Sequence, residues 1–365
     1  MPLLPVYAHD LGASGFFVGM IFGAFSLSRT FFLPYFGRLS DKKGRKPFIV
    51  PGLLAYALIS VAFIYSSNVN SLIIIRFFQG IASAMLMPVI QAYIGDITPG
   101  GREGFIMGSF NMSMFIGLSL GPLLGGIIKD QFSLQASFIC MGVLAMIGFF
   151  LSFTLLPPTK SEQVFKTHRL PVPWRKIVFN GQIAGLFVFR FGHIACIGII
   201  WGFVPIYADV RFSLSSSSIG ILIMLGVLVS GLIHVPMGLL ADRLNRKMMI
   251  VFGGVVACYA ILSFEWANTF RDMIQAAIIF GLGGGISMPA LMAMAVSEGN
   301  KSKAMGSVMA LMTVAHSTGM LTGALLGGFI MDCFQLRMAF PAGAVLMALS
   351  TALFILGTSG SKVVV

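Results

Sequence analysis

Charge is scarce in this chain. Asp, Glu, Lys and Arg together make up 10% of its 365 residues, against about a quarter in soluble domains. So little charge excludes an ordinary water-soluble fold. Acid is scarcer than base, 12 residues against 24, and each of the twelve falls in a connection or near the end of an apolar stretch. Cysteine is sparse as well. Cys140, Cys196, Cys258 and Cys333 are scattered without paired spacing, which argues against a disulfide framework or a metal site and leaves them as small apolar residues. No nucleophile–base constellation stands out. Gly281 to Gly285 (GLGGG) lacks the Lys-Ser/Thr of a phosphate loop and lies in an apolar stretch, so it reads as a packing surface. An enzyme, a cofactor and a bound metal are therefore not expected.

In excess is apolar sequence: 57% of residues are hydrophobic and mean hydropathy is +0.93. A helix of about 20 residues crosses a hydrocarbon core of roughly 30 Å. Spans are read near 16–36, 47–66, 71–95, 104–128, 134–156, 179–207, 216–237, 248–266, 272–297, 305–331 and 338–357. The chain is expected to be an all-α, polytopic membrane protein lying in a lipid bilayer.

The net charge of +12 could suggest a nucleic-acid partner, but its placement argues otherwise. Seventeen of the 24 Lys and Arg fall in one alternate set of connections. The other set holds only Lys129, Arg211, Arg271 and Arg337, and Arg29, Arg76 and Arg190 lie inside spans. An excess of this kind marks the cytoplasmic side. The basic balance reports topology, no nucleic-acid partner is expected, and the linker and C-terminus are placed in the cytoplasm. Short outer connections suit a bacterial inner (plasma) membrane.

The two halves of the chain repeat. Gly37 to Lys46 (GRLSDKKGRK) returns as Gly238 to Lys247 (GLLADRLNRK). Leu4 to Ala8 (LPVYA) matches Val204 to Ala208 (VPIYA), Met87-Pro88 matches Met288-Pro289, and Gly121 to Gly126 (GPLLGG) matches Gly323 to Gly328 (GALLGG). The division expected is an N-terminal bundle over 1–156, a polar, proline-bearing linker over 157–178, and a C-terminal bundle over 179–365. The second half has a whole span before Pro205, whereas four residues precede Pro5. Eleven spans are read where duplication calls for twelve, with most of the first helix placed upstream of Met1, and no cleavable signal is visible.

The residues suggest roles of their own. Gly37 and Gly44 are expected to let the connection turn sharply, and Asn245, in place of Gly44, to tolerate the left-handed conformation next best. Asp41 and Asp242 can accept hydrogen bonds from Arg45 and Arg246, while Lys46 and Lys247 close each motif. Gly117, Gly121 and Gly125 share a helix face, as do Gly319, Gly323 and Gly327, and each strip is expected to admit a neighbouring backbone, with Pro122 permitting a bend. Ionisable groups inside the bilayer are functional candidates: Arg76, Arg190, His193 and His316, with Arg190 and His193 one turn apart. Arg29 and His234 lie nearer helix ends, where snorkelling explains them. Gln79, Gln91 and Asn111 could supply polar contacts. Met85, Met87, Met288, Met292 and Met312 offer an adaptable lining, ordinary apolar surface being the plainer reading.

Three ordered motifs resemble the major facilitator superfamily, in its twelve-helix drug:proton antiporter branch: GRLSDKKGRK between helices 2 and 3, Leu72 to Ala84 (LIIIRFFQGIASA) in helix 4, and Gly117 to Gly126 (GLSLGPLLGG) in helix 5. The resemblance implies two pseudo-symmetric bundles and alternating access, with protons and a small-molecule substrate as partners and a monomer as the working unit. It also implies that Asp41 latches onto the start of the span at Ala304 and Asp242 onto that at Gly104, and that Arg76 lines the cavity and influences proton coupling. Proton-driven efflux of a small organic molecule is the activity it points to. Two other readings stay open: uptake of a sugar or metabolite by symport or facilitation, and a transport-inactive membrane sensor or assembly protein.

Overall fold

The computed structural model describes residues 3–97, 103–157, 180–302 and 304–359; for a few of these, near the starts of α5 and α11, it gives the backbone alone. The linker expected over 157–178 lies, except for Pro157, outside them. The described chain is built from α1 (Leu3–Asp10), α2 (Gly15–Lys43), α3 (Lys46–Ile64), α4 (Val69–Ile97), α5 (Glu103–Gln131), α6 (Leu134–Leu155), α7 (Gly181–Phe212), α8 (Ser216–Ala241), α9 (Arg246–Ser263), α10 (Phe270–Lys301), α11 (Met305–Cys333) and α12 (Ala339–Ser359). Among the described residues 11 helices are long and apolar enough to cross a membrane, and there are no strands. With no water in hydrocarbon to satisfy free backbone groups, a helix is the way such a sequence meets its own polar requirement.

Short polar residues start the helices. Ser133, Asn180, Ser215 and Asn245 each accept from backbone N–H groups of the following first turn, and Thr269 with Asp272 forms a reciprocal capping box on α10.

Within the first half α2 packs on α4, and α3 on α4 and α6; within the second, α8 packs on α10, α9 on α10 and α12, and α7 on α11 and α12. The two halves meet mainly through α2 against α11 and α5 against α8. Burial differs between matching helices. None of the apolar stretch of α6 is buried, whereas 44% of that in α12 is. The cause is local: α12 lies against the 32 residues of α7, and α7's counterpart α1 has 8.

The charged repeat differs from its sequence reading in two places. Gly37 is helical, because α2 continues through Leu39-Ser40-Asp41-Lys42-Lys43 before the chain turns. Only Gly44 takes a positive φ, +86°, which a side chain would strain. Asn245 is not left-handed either. At φ −68° and ψ 105° it is extended, and its side-chain oxygen accepts from Lys247 N and Met248 N at the head of α9. The first copy turns on a glycine; the second turns earlier and uses the same position as a cap.

Candidate functional site

The connection at the basic-rich end is clamped within each half. Arg45 donates to Asp41 Oδ1 (2.5 Å), to Ser40 Oγ (2.9 Å) and to Asp96 Oδ2 on α4 (2.9 Å). Burial opposes the Arg45 charge, yet the hydrogen bonds and charges of Asp96 and Asp41 outweigh it and hold its pKa above the ordinary value. Arg246 repeats the plan, donating to Asp242 Oδ1 (3.4 Å), to the Ala241 carbonyl (3.0 Å) and to the Ala293 carbonyl on α10 (3.4 Å). Lys46 Nζ lies 6.0 Å from the Phe153 ring of α6, and Lys247 Nζ donates to the Thr358 carbonyl of α12. The side chains of Asp41 and Asp242 are 51% and 68% exposed. Neither makes the inter-half latch among the described residues, and Ala304 at the head of α11 has no side chain able to cap it. The side chain environment of Gly104 lies outside the described residues.

The halves lock at the opposite, basic-poor end. Asp130, near the end of α5, accepts from Ser216 N (3.0 Å), Ser217 N (2.7 Å) and Ser217 Oγ (2.6 Å) at the head of α8. Asp332, near the end of α11, accepts from Gly15 N (2.6 Å) and Phe16 N (2.8 Å) at the head of α2. A carboxylate at a helix N-terminus meets unsatisfied N–H groups and the positive end of the dipole. Both caps cross between halves, and both follow the matching runs GPLLGG and GALLGG. Neither acid is at mid-span, where a buried carboxylate would draw notice; the signal for them in the sequence is the recurrence of Asp-x-Phe at 130–132 and 332–334.

Below these caps the helices close on small residues. A Cβ placed on Gly15, Gly19 or Gly220 would lie 2.5 Å from the carbonyl oxygen of Gly328, Ala324 or Pro122, each in the other half. The glycine strips behave differently from one another. Gly319, Gly323 and Gly327 receive α7: a Cβ on Gly319 would sit 2.5 Å from the Phe191 carbonyl, and Gly323 and Gly327 face Ala195 and Phe203. On α5, Gly117 and Gly121 face open space, and Gly125 only reaches Leu3 Cδ1 at 3.9 Å. The close approach there belongs to Pro122 and Gly126, which lie on the adjacent face against α8.

Arg76 is 5% exposed and held inside the first half. It donates to the Ile21 carbonyl (3.2 Å) and to Gln79 Oε1 (2.8 Å), and its guanidinium lies 4.5 Å from the Phe25 ring and 5.3 Å from Phe22. These contacts place it at the α2–α4 junction. Gln91 is exposed on α4, and the side chain of Asn111 lies outside the described residues.

A second basic group gathers where the halves meet. Arg190 on α7 donates to Met292 Sδ (3.0 Å), and its Nε is buried without a partner. His193, 2% exposed, stacks on Phe280 at 5.3 Å, and its Nδ1 is also unpaired. Arg29 and His234 are half-buried. Arg29 Nε is shut from solvent with no partner. His234 Nδ1 lies 2.7 Å from the Ser230 carbonyl, and its ring centroid is 5.0 Å from that of Phe115 in the other half. Arg190, Arg29 and His193 all lie within electrostatic reach of His316 on α11.

Comparison with known proteins agrees with this architecture. The chain is 28% identical over 352 residues, 94% of its length and 89% of the relative's, to an uncharacterized MFS-type transporter of Methanocaldococcus jannaschii. It is 24% identical over 365 residues, 95% of its length and 88% of the relative's, to multidrug resistance protein MdtG of Salmonella heidelberg. Among solved structures it shares the fold of a bacterial homolog to the human lysosomal transporter Spinster, with a TM-score of 0.85 at 12% identity, covering 99% of this chain and 92% of that one. The sequence profile of the Major Facilitator Superfamily matches residues 1–211 and 186–363, and the chain belongs to that family: it is a multi-pass membrane transporter of small molecules and not an enzyme.

Proposed function

We propose that this protein exports a small organic solute across a plasma membrane in exchange for protons, by alternating access between residues 1–156 and 179–365, with 157–178 as the link and a monomer as the working unit. The observation that carries alternating access is the pair of crossed caps. Asp130 and Asp332 close the basic-poor end twice over, while Asp41 and Asp242 at the other end remain within their own halves. Closure at one end, with no latch between the halves at the other among the described residues, is one half of such a cycle. Efflux is supported by likeness to MdtG over 95% of the chain and by the helix 5 motif.

Among the described residues no Asp or Glu lies at mid-span, so His316 and His193 are the candidates to carry the proton. That same scarcity of acid favours the second reading, uptake by symport or facilitation. Everted membrane vesicles containing the protein separate the two, using carboxyfluorescein and rhodamine 123 as probes. Accumulation driven by an imposed inside-acid pH gradient and abolished by a protonophore is the expected result. Accumulation that ignores the gradient contradicts antiport, and movement only in the opposite sense supports uptake.

A further inference from the structure

We propose that the transported solute is an organic anion, whose carboxylate, phosphate or sulfonate group is held between Arg29 of α2 and Arg190 of α7 beside His316 of α11. The inference rests on the transport reading above and names its substrate class.

The charge inside the spans is of one sign. Among the described residues the ionisable groups there are Arg29, Arg76, Arg190, His193, His234 and His316, and each described acid lies within about a turn of a helix end or in a connection. Arg76 is accounted for by Gln79, the Ile21 carbonyl and two phenylalanine rings. Arg29 and Arg190 are not. Each has a buried Nε without a partner. Arg190's hydrogen bond goes to a thioether sulfur, a weak acceptor. None of the ion pairs among the described residues involves either group.

A half-buried guanidinium inside a span, with its Nε shut from solvent and no counter-charge, is a costly arrangement for a membrane protein to keep, and such groups mark substrate paths. The planar fork of a guanidinium matches the paired oxygens of a carboxylate or phosphate. The two arginines come from opposite halves, and both α2 and α7 pack on α11, where Gly23 meets Leu321 and Gly319 meets Phe191, so both arginines lie within about a turn or two of the level of His316. An anion between them would lower the repulsion between the halves and let them close around it. A cation there would add to the charge already present. His193, buried with a free ring nitrogen beside Phe280, can accept a further polar contact, and Met292 offers a soft apolar wall.

The test uses the full chain in nanodiscs and two probes of related skeleton and opposite charge, carboxyfluorescein (anion) and rhodamine 123 (cation), followed by fluorescence polarisation. The expected result is a preference for the anion, weakened by about tenfold or more in Arg29→Gln and in Arg190→Gln. Partial recovery in Arg29→Lys and Arg190→Lys, with all four variants monodisperse in gel filtration, shows that the loss is not one of folding. Equal or tighter binding of the cation, no binding of either probe, or a preference unchanged in the Gln variants overturns the proposal. Flux in proteoliposomes separates the two layers. Anion binding without flux counts against transport and leaves the site standing; flux of the cation with no anion preference counts against the site and leaves transport standing.

Discussion

The carboxylate of Asp332 reaches out of the second half of the chain to accept the backbone N–H of Gly15, the first residue of α2, at 2.6 Å. Asp130 does the same for Ser216, the first residue of α8, at 3.0 Å. The acids are 202 residues apart (332 − 130) and the heads they cap 201 (216 − 15), so the repeat carries the same contact twice, each copy crossing to the other half.

Removing either acid should favour the conformation open at the basic-poor end. Loss of a helix cap or of a charge at a helix N-terminus costs about 0.5–2 kcal/mol, so each Asp→Ala change should shift the population by about 2- to 30-fold. Spin labels at Phe132 and Phe334, both exposed at that end, in a cysteine-free background report it as a longer distance. Unchanged distances in Asp130→Ala and Asp332→Ala would show that the caps are not a gate.

Glycines on the same contact face should be sensitive, and those on the neighbouring strip should not. A Cβ at Gly19 or Gly220 collides with a carbonyl of the opposite half, whereas Gly121 has nothing within 4 Å. Gly19→Ala and Gly220→Ala are expected to cost about 1–3 kcal/mol of the closed form, the usual range for overpacking. Gly121→Ala should leave the label distances as in the parent. Equal effects at Gly121 and Gly220 would contradict the assignment of the packing face.

Arg76 should act through stability before coupling. Arg76→Ala strands the Gln79 side-chain oxygen in a buried site, at about 1–3 kcal/mol, while the Ile21 carbonyl keeps the backbone bond of its helix. A lower thermal midpoint is expected in Arg76→Ala, and little change in Arg190→Gln, whose side chain has fewer partners to lose. A normal midpoint in Arg76→Ala together with proton leak would instead place Arg76 in the coupling path.

The clamp at Arg45 should matter modestly. Asp41 and Asp96 are 51% and 43% exposed, and pairs of that kind are worth about 0.2–1 kcal/mol. Asp96→Asn should therefore leave the protein folded, with a thermal midpoint close to the parent's, and slow transport by loosening the α2–α3 turn from α4. Unfolding of Asp96→Asn on purification would contradict this ranking.

Much of the fold was legible because a membrane leaves few choices. Apolar runs of bilayer length, set off by basic connections, located the helices to within a few residues. Their ends were harder to read. α2 runs to Lys43 because Ser40 to Lys43 are compatible with a helix in water, and hydropathy cannot see a helix that leaves the bilayer. Faces were harder still. The spacing of Gly117, Gly121 and Gly125 gave a common face but not its neighbour, and α8 lies instead against Pro122 and Gly126. His234 lies near a helix end along the axis, yet its ring meets Phe115 of the other half around it. Asp130 and Asp332 are hard to read in sequence because they lie at helix ends, where acids are common, and act by capping a helix of the other half.

The central claim, that two like halves rock about a shared site, is tested most directly by measuring two distances under the same conditions. One label pair, Phe132 and Phe334, reports the basic-poor end; another, Lys43 and Leu244, reports the basic-rich end. Comparing the parent with the Asp130→Ala/Asp332→Ala double variant in nanodiscs, the account predicts that the first distance lengthens as the second shortens. Lengthening at one end with no change at the other would contradict alternating access and leave the caps as mere stabilisers of a static pair.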